Sequence, residues 1–243
     1  MRRARSTILT YHSIDDSGSV ISISPELFRR QMARIAECGV AVVPLAEIQR
    51  SPGAVALTFD DGYRNFLERA LPVLAEYRFP ATVFIVTGRA GAFNDWSQKG
   101  CANIPRLALM DWSELVEVAA NGIELGGHGV RHADLSELGP EQAREELLRC
   151  RAEIAERTGR PPGAFAYPYG SASPVVRRLA AEHYQAACGT TLRYVEPNDD
   201  PFDLPRLDAY YLKNLSSFER AIQGRAGARL ALRRTLRRLR RIL

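Results

Sequence analysis

Short apolar runs, each closed by a turn residue, alternate along this chain with longer stretches whose apolar positions recur every three or four residues. The first kind reads as buried strands and the second as amphipathic helices. Residues 7–11 (Thr-Ile-Leu-Thr-Tyr) are the first run and end at His12. Ser24 and Pro25 suit the N-cap and first turn of a helix to Cys38, closed by Gly39. Residues 40–43 read as a second strand, and 54–59 as a strand buried on both faces. A helix over 65–77 and a strand over 81–86 follow. Residues 88–109 form a long connection carrying Phe93, Asp95 and Trp96, and such connections are commonly binding loops. Asp111 and Glu114 begin a helix to Ala120 through a variant of the capping box.

The alternation continues with a strand over 123–125, a charged amphipathic helix over 140–157 and a strand over 164–167. A helix near 174–183 and strands near 185–190 and 207–212 complete it. No internal repeat and no Gly/Ser-rich linker interrupts the pattern. It predicts a single-domain α/β fold, an irregular (β/α) barrel of about seven parallel strands. The expected division is a barrel over residues 1–215 and a C-terminal helix with an Arg-rich tail over 216–243.

Composition narrows the class. A chain of 243 residues with 46% hydrophobic and 25% charged content is an ordinary globule with a full core. Its net charge of +5 is unevenly spread. Residues 225–243 hold eight Arg and no acid; subtracted from 33 Lys and Arg, they leave 25 against 28 Asp and Glu. The body is therefore mildly acidic. In the tail, Leu232, Leu236, Leu239 and Leu243 recur at helical spacing among the Arg residues, a pattern suited to an anionic membrane surface. A solubilising tail has the same composition. Nucleic acid is not an expected partner, because no aromatic interleaving or nucleic-acid motif accompanies the basic residues. Cys38, Cys101, Cys150 and Cys188 are scattered without CxxC pairing and read as free thiols. The basic N-terminus lacks the apolar stretch of a signal peptide. The expected location is cytoplasmic, peripheral to the membrane if the tail binds it, although a chain trimmed of a leader would look the same.

Candidate chemistry lies at three strand ends. The central strand runs into Asp60-Asp61-Gly62, where two adjacent carboxylates need a metal, a basic partner or a shared proton unless they form a solvated turn. The strand over 123–125 leads into Gly126-Gly127-His128-Gly129-Val130-Arg131-His132. The two imidazoles can face one side if this segment makes a helical turn. Two imidazoles and a carboxylate form a three-ligand set with an open position for water, the pattern of catalytic zinc. The strand over 164–167 enters Pro168-Tyr169-Gly170. On a parallel barrel these ends converge on one rim.

Thr58-Phe59-Asp60-Asp61-Gly62, His128-Gly-Val-Arg-His132 and Phe165-Ala-Tyr-Pro-Tyr-Gly170 together resemble, in order, the first three motifs of the polysaccharide deacetylase (NodB-homology) family. The resemblance spans residues 7–212. It implies an irregular TIM-like barrel and metal-dependent hydrolysis of acetyl groups from N-acetylated sugars of a polysaccharide, oligosaccharide or lipid-linked glycan. By the same resemblance Asp60 is the general base, and Asp61, His128 and His132 hold a divalent metal: zinc, with cobalt or nickel as alternatives. The Tyr169 backbone N–H then contributes to an oxyanion hole. An O-acetyl esterase with the same site, as on xylan, and a carbohydrate-binding protein with a degenerate site are the rival readings.

The chain departs from the family pattern at three points, the first two of which motivate the last rival. Gly129 stands where a Ser or Thr usually braces the loop, and Ala166 where an Arg usually orients the base. The late Leu-x-His that supplies a general acid is absent, since no His follows His183. The opening Leu-Thr-Tyr-His12 and Pro205-Arg206 resemble a circularly permuted subgroup acting on poly-N-acetylglucosamine. That makes His12 the candidate acid and Arg206 the candidate orienting residue. Trp96, Tyr167 and Pro168 are candidate sugar contacts, with a place facing the barrel core as the equal alternative for Tyr167.

Overall fold

The computed structural model describes residues 5–96, 103–227 and 230–231. Its strands are β1 (Thr7–Tyr11), a short pair β2 (Ser13–Ile14) and β3 (Ser22–Ile23), β4 (Val55–Phe59), β5 (Ala81–Ile85), β6 (Glu124–Gly127), β7 (Ala164–Ala166), β8 (Ala186–Cys188) and β9 (Leu207–Asp208). Helices α1 (Pro25–Glu37), α2 (Leu71–Tyr77), α3 (Trp112–Ala120), α4 (Pro140–Thr158), α5 (Pro174–Ala181) and α6 (Leu215–Ile222) surround them. The predicted caps are in place: Ser24 accepts from Leu27 N, and Asp111 with Glu114 forms a reciprocal capping box.

Seven strands form one parallel sheet in the order β8-β7-β6-β5-β4-β1-β9. Leu204 bridges Cys188 of β8 just before Leu207 pairs with Leu9 of β1, so one segment links both margins of the curled sheet. The first strand therefore lies between β4 and the last strand, as a permuted barrel requires.

Alternation along the strands separates two layers. Leu9, Tyr11, Val55, Leu57, Phe59, Val83 and Ile85 point outward into the core beneath the helices. Ile8, Ala56, Phe84, Ala164 and Ala166 point inward and fill the barrel, the large Phe84 and Ile8 against small alanines. Phe59 packs within 5.2 Å of Tyr11, 5.8 Å of Phe28 and 4.7 Å of Phe66, ring centre to ring centre. Such pairs contribute about 0.5–1.5 kcal/mol each beyond burial. This cluster anchors β4 immediately before Asp60.

Two predicted strands shrink. Residues 41–43 bond only to Val55, through Val55 N to Ala41 O and Val43 N to Val55 O. The reason is that β5 takes that edge of β4 from Leu57 onward, while β1 holds the other. The expected strand over 207–212 is two residues long. Asp208 then accepts a hydrogen bond from Tyr210 N and turns the chain into a 3-10 helix, Ala209–Leu212. α6 buries Phe218, Ala221 and Ile222 in the main core. No helix among the described residues is long and apolar enough to cross a membrane. The basic tail pattern from Leu232 onward, and Cys101, lie outside the described residues; Cys38, Cys150 and Cys188 are free thiols.

Candidate active site at the carboxyl rim

Inward parity places the chemistry. In β4 the inward positions Ala56 and Thr58 are followed by Asp60, and in β1 Ile8 and Thr10 are followed by His12. Outward Leu207 leaves Arg206 facing in. Its guanidinium meets Asp60 end on, Nη1 to Oδ1 at 2.6 Å and Nη2 to Oδ2 at 2.7 Å, while Nε donates to Gly189 O at 3.0 Å. Both partners are buried. Burial would push the Asp60 carboxyl up, but Arg206, then His128 and His12, outweigh it and hold it below the usual carboxylate range. His12 Nε2 stands 3.8 Å from Asp60 Oδ2, beyond hydrogen-bonding range, and about a quarter of its side chain is exposed.

Asp61 turns the other way. It adopts φ 74°, in the left-handed region, and its Oδ1 lies 3.4 Å from His128 Nε2 and 3.3 Å from His132 Nε2. Close enough for attraction, neither imidazole makes a well-aligned hydrogen bond there, and Oδ1 has no partner among the described residues. Burial again opposes ionisation, and the two rings override it, holding the Asp61 carboxyl well below its usual range. His128 Nδ1 lies 2.6 Å from Ala166 O. A carbonyl can only accept, so Nδ1 carries a proton, which makes Nε2 the ligand atom of the neutral ring. One ligand atom from each of Asp61, His128 and His132 falls within 4.8 Å of the others. A buried carboxylate oxygen without a partner, facing two ring nitrogens, is a donor set that fits a divalent cation. Burial lowers the affinity of His132 for a proton; at His128 it is outweighed by Asp61 and Asp60, which raise it.

The two imidazoles face one side without a helical turn over 128–132. His128 N bonds back to Ile85 O, then Gly129 at φ 79° and His132 at φ 57° bend the segment through left-handed backbone. Glycine at 129 makes the first bend without strain. Tyr169 also sits in the left-handed region, at φ 60° and ψ 0°, with its ring edge-on to His132 at 4.7 Å. Trp96 stacks on the same imidazole, centres 4.5 Å apart and planes 22° apart, so one indole face is already used.

Tyr167 corrects the sequence reading. Phe165 and Tyr167 have outward parity on β7, opposite to Ala164 and Ala166, and pack with Leu135, Leu147 and Val176 behind the sheet. The Tyr167 hydroxyl donates to Phe202 O at 3.0 Å. It has no face to offer a sugar. Pro168 is buried at the start of the turn that presents Tyr169, and is not a sugar platform either.

Several contributors escaped the sequence. Glu146 of α4 is 2% exposed and bonds the 128–132 turn. Its signal was its place on a buried stripe with Ala143, Leu147, Cys150 and Ile154. Tyr63 faces Asp61, and burial followed by that carboxylate raises its hydroxyl pKa. Asn94 donates to the Tyr63 hydroxyl at 3.2 Å and accepts from Leu107 N at 2.7 Å, tying the 88–109 connection to the rim.

Two imidazoles, a buried carboxylate oxygen and an arginine-held aspartate thus meet at the carboxyl rim of a parallel barrel, the end at which such folds build their sites. The sequence profile of polysaccharide deacetylases matches residues 47–187, more than half of the chain, and the chain belongs to that family. It is 25% identical over 175 residues to YxkH of Bacillus subtilis (strain 168), named for a polysaccharide deacetylase; the match covers 69% of this chain and 57% of that one. It is 29% identical over 133 residues to the poly-beta-1,6-N-acetyl-D-glucosamine N-deacetylase of Escherichia coli (strain K12), covering 49% of this chain and 20% of that enzyme. The Streptococcus pyogenes deacetylase PplD superimposes with a TM-score of 0.76 at 22% identity, covering 91% of this chain and 99% of that one, which shows the shared fold.

Proposed function

We propose that the protein is a metal-dependent deacetylase that hydrolyses the acetamide of an N-acetylated sugar in a glycan. The observation that carries this reading is the juxtaposition of the Asp61–His128–His132 donor set with the Arg206-held carboxylate of Asp60. Held by those three ligands, a divalent cation, zinc first among the candidates, would polarise the acetyl carbonyl and acidify water. Asp60 takes the proton from the attacking water. Arg206 fixes the carboxylate by both oxygens and keeps it ionised, so the base is aimed as well as charged. His12, on the neighbouring strand and more exposed, is placed to protonate the leaving amine. The backbone N–H of Tyr169 is the candidate donor to the oxyanion.

The degenerate-site rival loses its main support. Arg206 reaches Asp60 from another strand, in the role vacated at Ala166. Poly-N-acetylglucosamine is the substrate class to test first, because a relative is named for it. The test is metal content together with acetate release from N-acetylated and O-acetylated glycans. One bound cation and acetate from N-acetyl substrates are expected. Release only from O-acetyl substrates favours the esterase reading; no cation and no acetate with added zinc or cobalt refutes both.

A further inference from the structure

We propose that Glu146 is the positioning residue of the metal site, a carboxylate clamp that holds the 128–132 turn in its ligand-bearing shape. The inference rests on the metal-dependent reading above. Glu146 projects from the buried stripe of α4, where a charge is stable only if fully bonded. Its Oε2 accepts from Val130 N at 2.7 Å and Arg131 N at 3.1 Å, and its Oε1 accepts from Arg131 Nε at 2.6 Å. All three donors lie between the two histidine ligands.

The turn needs such a clamp. It contains two left-handed residues, and at His132, which has a Cβ, that conformation costs about 1–2 kcal/mol and persists only when neighbours impose it. From one side, Thr87 N donates to Gly129 O and Gly88 N donates to Val130 O, at 3.1 and 3.0 Å. Glu146 bonds the amides from the other side. The two ligands differ in their own support. His128 has the Ala166 carbonyl behind its Nδ1, whereas His132 Nδ1 has no hydrogen-bond partner among the described residues. His132 is oriented by its backbone and by the rings of Trp96 and Tyr169. The backbone clamp therefore matters most for His132.

Gly129 is part of the same arrangement. A Cβ there would stand 3.0 Å from Glu146 Oε2 at φ +79°, so the carboxylate occupies the space beside residue 129. The brace that a Ser or Thr side chain would supply from within the turn comes instead from a helix packed against it. Gly129 and Glu146 are one device.

The test is cobalt(II) titration of the purified full-length chain, followed by its visible absorption, with thermal unfolding of the metal-free protein alongside. Glu146→Ala is expected to weaken cobalt binding about 10–100-fold, the range for residues that orient ligands, and to alter the absorption bands at saturation. Glu146→Gln keeps one acceptor oxygen for the two amides and is expected to restore part of the affinity. It serves as the reporter if the Ala variant fails to fold. Arg131→Ala removes one of the three donors but leaves both amide bonds, and is expected to weaken cobalt binding less than Glu146→Ala does. Unchanged affinity and bands in both Glu146 variants, even with a lowered Tm, would overturn the proposal. Absence of cobalt binding by the unaltered chain would instead refute the metal reading beneath it.

Discussion

Arg206 grips both oxygens of Asp60, at 2.6 and 2.7 Å, from a strand 146 positions away in the chain. The contact joins the start of the last strand to the end of the central one across β1. Removing the guanidinium leaves a buried carboxylate without its partner, and breaking a buried pair in this way costs about 3–5 kcal/mol. Arg206→Ala is therefore expected to lower stability by that order in chemical denaturation. The pH dependence follows in sign. Asp60 has a depressed folded pKa, so its stabilisation is present above the unfolded value of about 3.9 and is lost as pH falls through the lower folded value. Without Arg206 that pKa rises, and the acid limb of the kcat/KM profile should move to higher pH. An unmoved limb would remove Arg206 from the base.

His12 separates metal binding from turnover. It faces Asp60 at 3.8 Å and is not one of the three candidate ligands. His12→Ala should retain the cation and lose about 10²–10⁴-fold in kcat, the usual contribution of a general acid. Unaltered turnover would assign leaving-group protonation elsewhere.

Trp96 and Tyr167 should now part company. Tyr167→Phe deletes one buried hydrogen bond, to Phe202 O, and should cost about 0.5–1.5 kcal/mol of stability while sparing KM. Trp96→Ala uncovers His132 and removes an aromatic wall at the rim, so KM for an oligosaccharide should rise. Equal effects of the two changes on KM would contradict the placement of Trp96 at the rim and of Tyr167 behind the sheet.

The tail prediction rests on composition. Arg233, Arg234, Arg237 and Arg238 changed to Gln should weaken partitioning onto anionic vesicles by roughly 1 kcal/mol per charge if the segment lies on the membrane surface. Sedimentation with vesicles of mixed neutral and anionic lipid measures it, and unchanged binding would sink the idea.

The glycan, the metal and the chemistry are thus separately testable. What the chain discloses before folding is also separable. Local patterns are legible: the strand runs, the Ser24 and Asp111 caps, and the placement of Asp60-Asp61 and His128 at strand ends all follow from near-neighbour physics. The outward direction of Tyr167 was legible too, since period-two alternation from Ala164 and Ala166 dictates it. Glu146 left a fainter trace, as a charge on an apolar stripe.

Tertiary structure decided the rest. The 40–43 strand fails because β5 already occupies the edge it would need, a competition between segments that no local pattern records. The turn at 128–132 is left-handed, not helical, because Glu146, Thr87 and Gly88 bond its backbone from two sides. Arg206 became the partner of Asp60 because the curled sheet carries the last strand to the far side of β1. By itself the sequence determined which residues stand at strand ends and which face inward, because alternation and capping act within a few residues. Only the curled sheet decided which of those ends meet, because charge pairing across strands depends on distances that the fold alone establishes.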